Sequence, residues 1–232
     1  DVEDRSASCQ GVGKGHGKLD PGNGIPERVG VLVAECEPVG DVHAVALVEA
    51  GQRHFLTTGD AVTSTADFAG LKTRIVPIPL HKATWEGIGV SPIGMAYGEV
   101  YSALETRTID AVEINLSSVQ AESLYDSAKN VTLTGHYFWP GVLMLSDAAW
   151  QKIPEGDRAA VEAAGKEATA EAYALAASQE SETVTFLEEN GVTITELSDL
   201  DVMQDKTKGV VEQWSGKHPL IPEFVAAFGA GG

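Results

Sequence analysis

A long helical pattern in the second half of the chain places the strongest constraint on the fold. Pro154 suits the first turn of a helix, and Asn190-Gly191 supplies a left-handed stop before the strand-like run VTITEL. The pattern predicts a helix of about 35 residues that either breaks near Ser178 or crosses two lobes as a strut. We expect one face to pack and the Glu- and Lys-rich face to meet solvent. The predicted packing face carries apolar residues three or four positions apart, at Val161, Ala164, Ala168, Ala172 and Leu175.

The composition is that of a globular and strongly acidic chain. Its 232 residues are 43% hydrophobic, which suffices for one large domain or two small lobes. Acidic residues outnumber basic ones 34 to 16, giving a formal charge of -18 that disfavours nucleic acid and anionic membranes as partners. No apolar stretch approaches the roughly 20 residues that span a bilayer, so we predict no direct membrane insertion.

The first 30 residues are rich in glycine and polar residues and show no hydrophobic period, which predicts little regular structure. Their GVGKGHGK run, residues 11–18, lacks the glycine and hydroxyl positions of a phosphate-binding loop. The start is acidic where a signal peptide would be basic and then apolar, so any leader has been removed or never belonged here. Cys9 and Cys36 lack the spacing of a zinc or redox motif, and whether they pair stays open.

From about Val29 the chain alternates apolar stretches with turn-rich passages, which predicts an α/β fold. The apolar runs VGVLVAE and DVHAVALVEAG come first. The run LKTRIVPIP, residues 71–79, predicts a strand that its two prolines end at a turn, where Arg74 can face a cleft. A helix at 81–89 follows. A short strand, a helix over 98–106 and a strand through 109–114 then form a β-α-β unit.

The order of motifs after residue 66 resembles that of the solute-binding proteins of TRAP (tripartite ATP-independent periplasmic) transporters. The family pattern Asp-Leu-x-Gly-Leu-Lys-x-Arg appears here as DFAGLKTR, residues 67–74. The next family pattern appears as GMAYGEVYSALETRTIDAVE, residues 94–113, and is followed by a Thr-x-His segment at Thr134–His136 and by the long helix.

The resemblance covers residues from about 51 to 228 and implies an α/β, two-lobed periplasmic binding protein of the class II type, with the long helix spanning the lobes. Such a protein captures a small organic acid in the cleft between its lobes, delivers it to TRAP membrane permease subunits, works as a periplasmic monomer and needs no cofactor. Residues 1–40 do not match the start of complete members, so we expect an incomplete first lobe, through truncation, a frame shift or rebuilding. The expected organisation is an atypical segment at 1–40, a first-lobe remnant with a hinge strand at 41–74, a second lobe at 75–145, and the long helix with C-terminal elements at 146–232.

The resemblance assigns the substrate carboxylate to Arg74, because the family's arginine stands at the end of the Gly-Leu-Lys-x-Arg strand. A guanidinium supports this role, since its planar fork matches a carboxylate with two hydrogen bonds and stays charged at any biological pH. The residues alone leave an alternative, in which Arg74 pairs with a nearby Asp or Glu.

Four more residues map onto family positions near the ligand. Arg53 corresponds to a second arginine that often holds the ligand, and Tyr97 to an aromatic residue that packs on it. The family's Glu-Asn-Pro appears as Glu113-Ile114-Asn115, so the amide stands one position later and reaches the cleft only if the strand has ended. Some members bind a metal cation with a Glu at the position of Glu113 and a second carboxylate near the Thr-x-His segment. The run GHYFWPG has no acid, and a hard cation prefers several oxygen ligands, so no metal is predicted.

Two other interpretations stay open. An enzyme acting on a carboxylated substrate would use Arg74 as anchor and a Glu or His as proton carrier, although no nucleophile elbow, HExxH spacing or Cys-His set is present. A truncated remnant that binds nothing is the third, and it would lack a cooperative melt. His136 is interpreted as a hydrogen-bonded structural residue. The class of acid is open between C4-dicarboxylates, sugar acids, keto acids and aromatic acids.

Overall fold

The computed structural model describes residues 42–229. The predictions for the first 30 residues, for the run VGVLVAE and for Cys9 and Cys36 lie outside the described residues. Within residues 42–229, no helix combines the length and apolar character needed to cross a bilayer.

Seven strands are hydrogen-bonded in one mixed sheet. They are β1 (Val42–Thr57), β2 (Lys72–Ile75), β3 (Ser91–Gly94), β4 (Ala111–Asn115), β5 (Asn130–Leu133), β6 (Phe138–Ser146) and β7 (Thr193–Glu196). The order is β3-β2-β4-β1-β5-β7, and β6 pairs with β1. Strand β2 runs parallel to β3 and β4, whereas β1 runs antiparallel to β4 and β5.

Seven α-helices lie in the described part of the chain. They are α1 (Pro79–Ile88), α2 (Val100–Glu105), α3 (Leu116–Ala121), α4 (Asp147–Trp150), α5 (Glu155–Glu189), α6 (Leu200–Ser215) and α7 (Leu220–Gly229). The predicted β-α-β unit is present as β3, α2 and β4, and β2 ends at Ile75, before the two prolines. The α/β class predicted from the sequence is confirmed.

Helix α5 is continuous over 35 residues, so the predicted long helix is confirmed and the break near Ser178 is absent. Gly191 follows it with a φ of 77°, the left-handed conformation that ends many helices. The predicted packing face was wrong, because Ala164, Ala168 and Leu175 are exposed.

The face of α5 that packs begins with small residues. A side chain at Gly165 would overlap the main-chain carbonyl of Val45, and the hydroxyl of Thr169 accepts a 3.0 Å hydrogen bond from the main-chain N–H of Leu47. The helix therefore contacts β1 through the close approach of its backbone at these small residues, and not through an apolar stripe.

The chain forms two compact units. Among the described residues, one contains 42–50 together with 139–179, and the other contains 51–138 and 180–229. The first includes the start of β1, β6, α4 and most of α5. The lobe boundaries inferred from the family resemblance, at 74/75 and 145/146, remain predictions.

The second unit holds two hydrophobic cores on opposite faces of its sheet. Adjacent strand residues point to opposite faces, and Phe55 lies in one core with Phe68 and Trp85, whereas Leu56 lies in the other with Val112. Packing on both faces holds the strands of this sheet in place, and therefore also the polar side chains at the ends of those strands.

Candidate ligand site

The candidate site lies in the second unit, where the parallel strands β2, β3 and β4 reach their carboxyl ends. In α/β sheets ligands commonly bind outside these ends. In β1, Arg53 stands opposite Asn115 and Phe55 opposite Glu113, so Arg53, Glu113 and Asn115 share one face. Arg74 stands beside Val112 and therefore leaves the sheet from the other face.

Arg53 and Glu113 form a buried ion pair. Arg53 Nε donates to Glu113 Oε2 at 2.7 Å, and Nη2 donates to the main-chain oxygen of Glu113 at 2.6 Å. Nη2 also lies 2.7 Å from Oε1. Both side chains are almost fully buried, and a buried ion pair is tolerable only when further hydrogen bonds accompany it.

Three more polar side chains surround the Glu113 carboxylate. Tyr137 donates its phenol hydrogen to Oε2 at 3.1 Å, while His81 Nδ1 and His136 Nε2 each lie 3.7 Å from a carboxylate oxygen, too far for a hydrogen bond. Burial alone would raise the pKa of Glu113, but its interactions with His136, His81 and Arg53 outweigh burial and hold that pKa well below its usual range. Glu113 is therefore ionised at neutral pH.

The two aromatic neighbours stay neutral. Burial and the charge of Glu113 raise the pKa of Tyr137 far above its usual value, so the phenol keeps its proton. Burial lowers the pKa of His136, and the Glu113 carboxylate offsets only part of that effect. The His136 ring packs edge-on against Trp85, and its Nδ1 lies 2.7 Å from the Thr134 hydroxyl. This is the hydrogen-bonded environment that the structural interpretation of His136 expects.

Arg74 has a different environment from Arg53. It is 3% exposed, and its Nε and Nη2 both donate to the main-chain oxygen of Met95, at 3.1 and 3.0 Å. No carboxylate lies within ion-pair distance of Arg74 among residues 42–229. Burial lowers the pKa of Arg74 while the charge of Glu113 opposes that shift, yet a guanidinium remains charged. The alternative in which Arg74 pairs with a nearby Asp or Glu is therefore not what the described residues show, whereas Arg53 does form such a pair.

The other two predicted residues have separate positions. Tyr97 lies in a one-turn 3₁₀ helix after β3 and is 46% exposed. Asn115 is the last residue of β4, where it still pairs with Arg53 of β1, and it is buried. Its amide donates to the Ser117 hydroxyl at 2.6 Å and accepts from the Ser118 hydroxyl at 2.9 Å, at the start of α3.

Sequence reasoning missed His81 and Tyr137. His81 lies in the first turn of α1, and Tyr137 follows the Thr-x-His segment directly. No local pattern marks either one, because both acquire their environment from Glu113, which is distant in sequence. In the described part of the chain, no group of three or more His, Cys, Asp and Glu side chains is arranged to hold a metal ion.

The amino-acid sequence matches a known family over most of its length. The model for bacterial extracellular solute-binding protein, family 7, matches residues 32–217. This chain belongs to that family. It is 31% identical over 175 residues to a solute-binding protein of Chromohalobacter salexigens, covering 75% of this chain and 52% of that protein. It is 32% identical over 171 residues to the 2,3-diketo-L-gulonate-binding periplasmic protein YiaO of Escherichia coli, covering 73% of this chain and 51% of YiaO.

Solved structures of family members share the fold. A TRAP periplasmic solute-binding protein from Chromohalobacter salexigens with bound D-glucuronate matches with a TM-score of 0.77 and 29% identity, over 87% of this chain and 65% of that chain. The fold is therefore that of the TRAP solute-binding proteins, as the sequence resemblance predicted. The chain spans about half the length of the curated relatives it matches.

Proposed function

We propose that this family 7 chain captures a small organic acid for a TRAP transporter and delivers it to the membrane permease, without chemical turnover. The observation that carries the proposal is the environment of Arg74. A buried guanidinium is costly unless a counter-charge meets it, and among the described residues its only hydrogen-bond acceptor is the carbonyl of Met95. A ligand carboxylate would supply the missing charge.

Sugar acids are the class of ligand that we propose. The solved structure from Chromohalobacter salexigens holds D-glucuronate, and YiaO is a 2,3-diketo-L-gulonate-binding protein. Both ligands pair one carboxylate with several oxygen-bearing carbons. Such a ligand needs one fixed cation and additional polar or aromatic contacts.

The remaining predicted residues receive subordinate roles in this proposal. Tyr97, exposed and two residues after Met95, would pack on the ligand. Arg53, Glu113 and Asn115 lie at the same carboxyl edge of the sheet as Arg74, near enough for the charges of Arg53 and Glu113 to act on it, and we assign them to the polar surroundings of the ligand. Because Glu113 already neutralises Arg53, the carboxylate falls to Arg74.

The setting of the protein completes the proposal. Its family consists of extracellular solute-binding proteins, which supports a periplasmic location. We propose a monomer whose partners are the ligand and the permease, with no nucleic-acid partner and no direct insertion into the membrane. We also propose the lobes inferred from the family resemblance: a first-lobe remnant at 41–74, a second lobe at 75–145, and the long helix with C-terminal elements at 146–232.

The test is binding of D-glucuronate, measured by thermal melting and calorimetry on the wild type and on R74A, R74K and R158K. A ligand at 100 times its dissociation constant adds about 2.7 kcal/mol, which raises Tm by roughly 5 to 10 °C in a chain of this size. R74A should lose binding and R74K should lose most of it, because a lysine lacks the planar fork. R158K is the matched control, since Arg158 lies in the other unit beside Trp150.

Each alternative has its own outcome. Wild-type affinity in R74A would refute the role of Arg74, and a cooperative melt raised only by another class of acid would refute the sugar-acid assignment. Consumption of the acid on prolonged incubation would favour the enzyme. A broad melt that no acid moves would favour a remnant that binds nothing.

A further inference from the structure

The carboxylate of Glu113 occupies an edge of the Arg53 guanidinium at which an acid could otherwise bind. Arg53 Nε donates to Glu113 Oε2 at 2.7 Å and Nη2 lies 2.7 Å from Oε1, so two nitrogens face two oxygens. This side-by-side arrangement is the one in which an arginine grips a carboxylate most strongly. Both side chains are almost fully buried, and the register of β1 against β4 holds them together. Glu113 is therefore an internal counter-ion for Arg53.

Two further neighbours of Glu113 add no charge to this pair. Burial and the charge of Glu113 raise the pKa of the Tyr137 phenol, which keeps its proton. Burial lowers the pKa of the His136 ring, which stays neutral. The charges of Arg53 and Glu113 thus cancel, and Arg74 supplies the one net positive charge among these five side chains.

The ion pair lies close enough to Arg74 to influence what binds there. Arg74 pairs with Val112 between β2 and β4, one residue before Glu113. Burial lowers the pKa of Arg74 most, and the next largest effects are those of Glu113, which raises it, and of Arg53, which lowers it. One ligand carboxylate would neutralise the net positive charge of the site. A second carboxylate on the same ligand would meet no counter-charge, and a desolvated carboxylate without one is costly.

We infer that Glu113 is a specificity-determining residue, which by neutralising Arg53 makes the site select acids with one carboxylate over acids with two. The inference rests on the proposed function of Arg74. It narrows the class of acid, because uronates and aldonates fit, whereas C4-dicarboxylates and aldarates, which carry a carboxylate at each end of the sugar chain, do not. Without the charge of Glu113, Arg53 and Arg74 would offer the two positive charges that an aldarate needs.

The test is calorimetry at pH 8.0, above the range in which histidine side chains ordinarily titrate, on the wild type, E113Q, R53Q/E113Q and E212Q. The ligands are D-gluconate, D-glucarate and D-glucuronate. The first two share an open sugar chain and differ only at one end, where a hydroxymethyl group stands in place of a carboxylate. The wild type should bind D-glucarate about tenfold more weakly than D-gluconate, or weaker still. D-glucuronate is the reference monoacid if the open chain of D-gluconate does not fit.

The variants should change this ratio of affinities in a set order. E113Q should narrow it by about tenfold, because removal of a negative charge several ångströms away favours a dianion more than a monoanion. R53Q/E113Q has one net positive charge again and should return to the wild-type ratio. E212Q is the matched control, since it removes a carboxylate from the exposed surface of α6. A merely structural role of Glu113 would not move the ratio, because a misplaced site weakens both acids alike.

Several outcomes would overturn the inference. They are equal binding of D-glucarate and the monoacid by the wild type, an E113Q ratio equal to that of the wild type, and an R53Q/E113Q ratio equal to that of E113Q. If E113Q does not melt cooperatively, the wild-type ratio decides. Each of these results leaves the proposed function intact as long as the wild type binds a sugar acid. Absence of binding of every acid to the wild type overturns the proposed function and this inference with it.

Discussion

Arg53 and Arg74 show how one residue type acquires two roles from its surroundings. Both are 3% exposed and both lie near the carboxyl edge of the sheet. Arg53 is matched by the carboxylate of Glu113, whereas Arg74 binds only a main-chain carbonyl in the described residues. The first arginine organises a polar network, and the second is the residue to which the proposed function assigns the carboxylate of the ligand.

At the residue scale, His136 should make the protein less stable in mild acid. Its pKa is lowered from 6.5 by burial, so below about pH 6.5 the unfolded chain binds a proton that the folded chain does not. The free energy of unfolding should fall by about 1 kcal/mol between pH 7.5 and 5.5 from this group. Urea denaturation at both pH values measures the change.

Substitution isolates the contribution of His136. H136N should show a smaller loss of stability between the two pH values than the wild type, while H218N should match the wild type. An equal loss in H136N and the wild type would show that another group causes the acid sensitivity. Glu113, whose pKa is also lowered, adds a similar loss only below its ordinary value of 4.5.

The sequence marks those residues of the candidate site that lie in a contiguous motif, but not the contacts between residues that are far apart in the chain. Arg74 could be singled out because its motif, GLKTR, is contiguous. The pairing of Arg53 with Glu113 joins residues 60 positions apart and depends on the register of β1 against β4, which no local pattern encodes. His81 and Tyr137 escaped notice for the same reason.

At the scale of elements, α5 separates what periodicity can and cannot predict. Its start, length and stop follow from Pro154, the helical spacing and Gly191, which are local signals. Its packing face depends on what it packs against. Small residues at Gly165 and Thr169 approach β1, so the alanine and leucine stripe stays exposed.

The same substitution at two helical glycines should have opposite effects. G165A should destabilise the protein by about 1–3 kcal/mol, because the added methyl group overlaps the carbonyl of Val45. G209A should stabilise it by about 0.5–1 kcal/mol, since Gly209 lies exposed within α6 with no atom in the way of a methyl group. Chemical denaturation of both variants measures the difference, and stabilisation by both would contradict the close packing at Gly165.

At the scale of the whole molecule, the described residues of the two units differ in how much apolar surface they bury. Both hydrophobic cores found among residues 42–229 belong to the second unit. In the first unit, Val142, Leu143 and Met144 are 45%, 55% and 54% exposed, although neighbouring strand residues point to opposite faces. The division near residue 50 could not be predicted from the sequence, because β1 runs through it. The local structural sign of the division is Gly51, with its φ of 91°.

Local stability should follow this difference in burial. Residues 55–57 lie in β1, with β4 on one side, β5 on the other and a hydrophobic core on each face of the sheet. Their amides should therefore exchange with solvent only on global unfolding. Amides of residues 142–144 in β6 should exchange roughly a hundredfold faster or more, because little apolar contact opposes local opening of their strand. Hydrogen exchange followed by mass spectrometry on the ligand-free chain compares the two strands directly, after correction for intrinsic rates. Equal protection of both would mean that the first unit is stabilised by contacts beyond those of its described residues, and would refute the ranking drawn from burial.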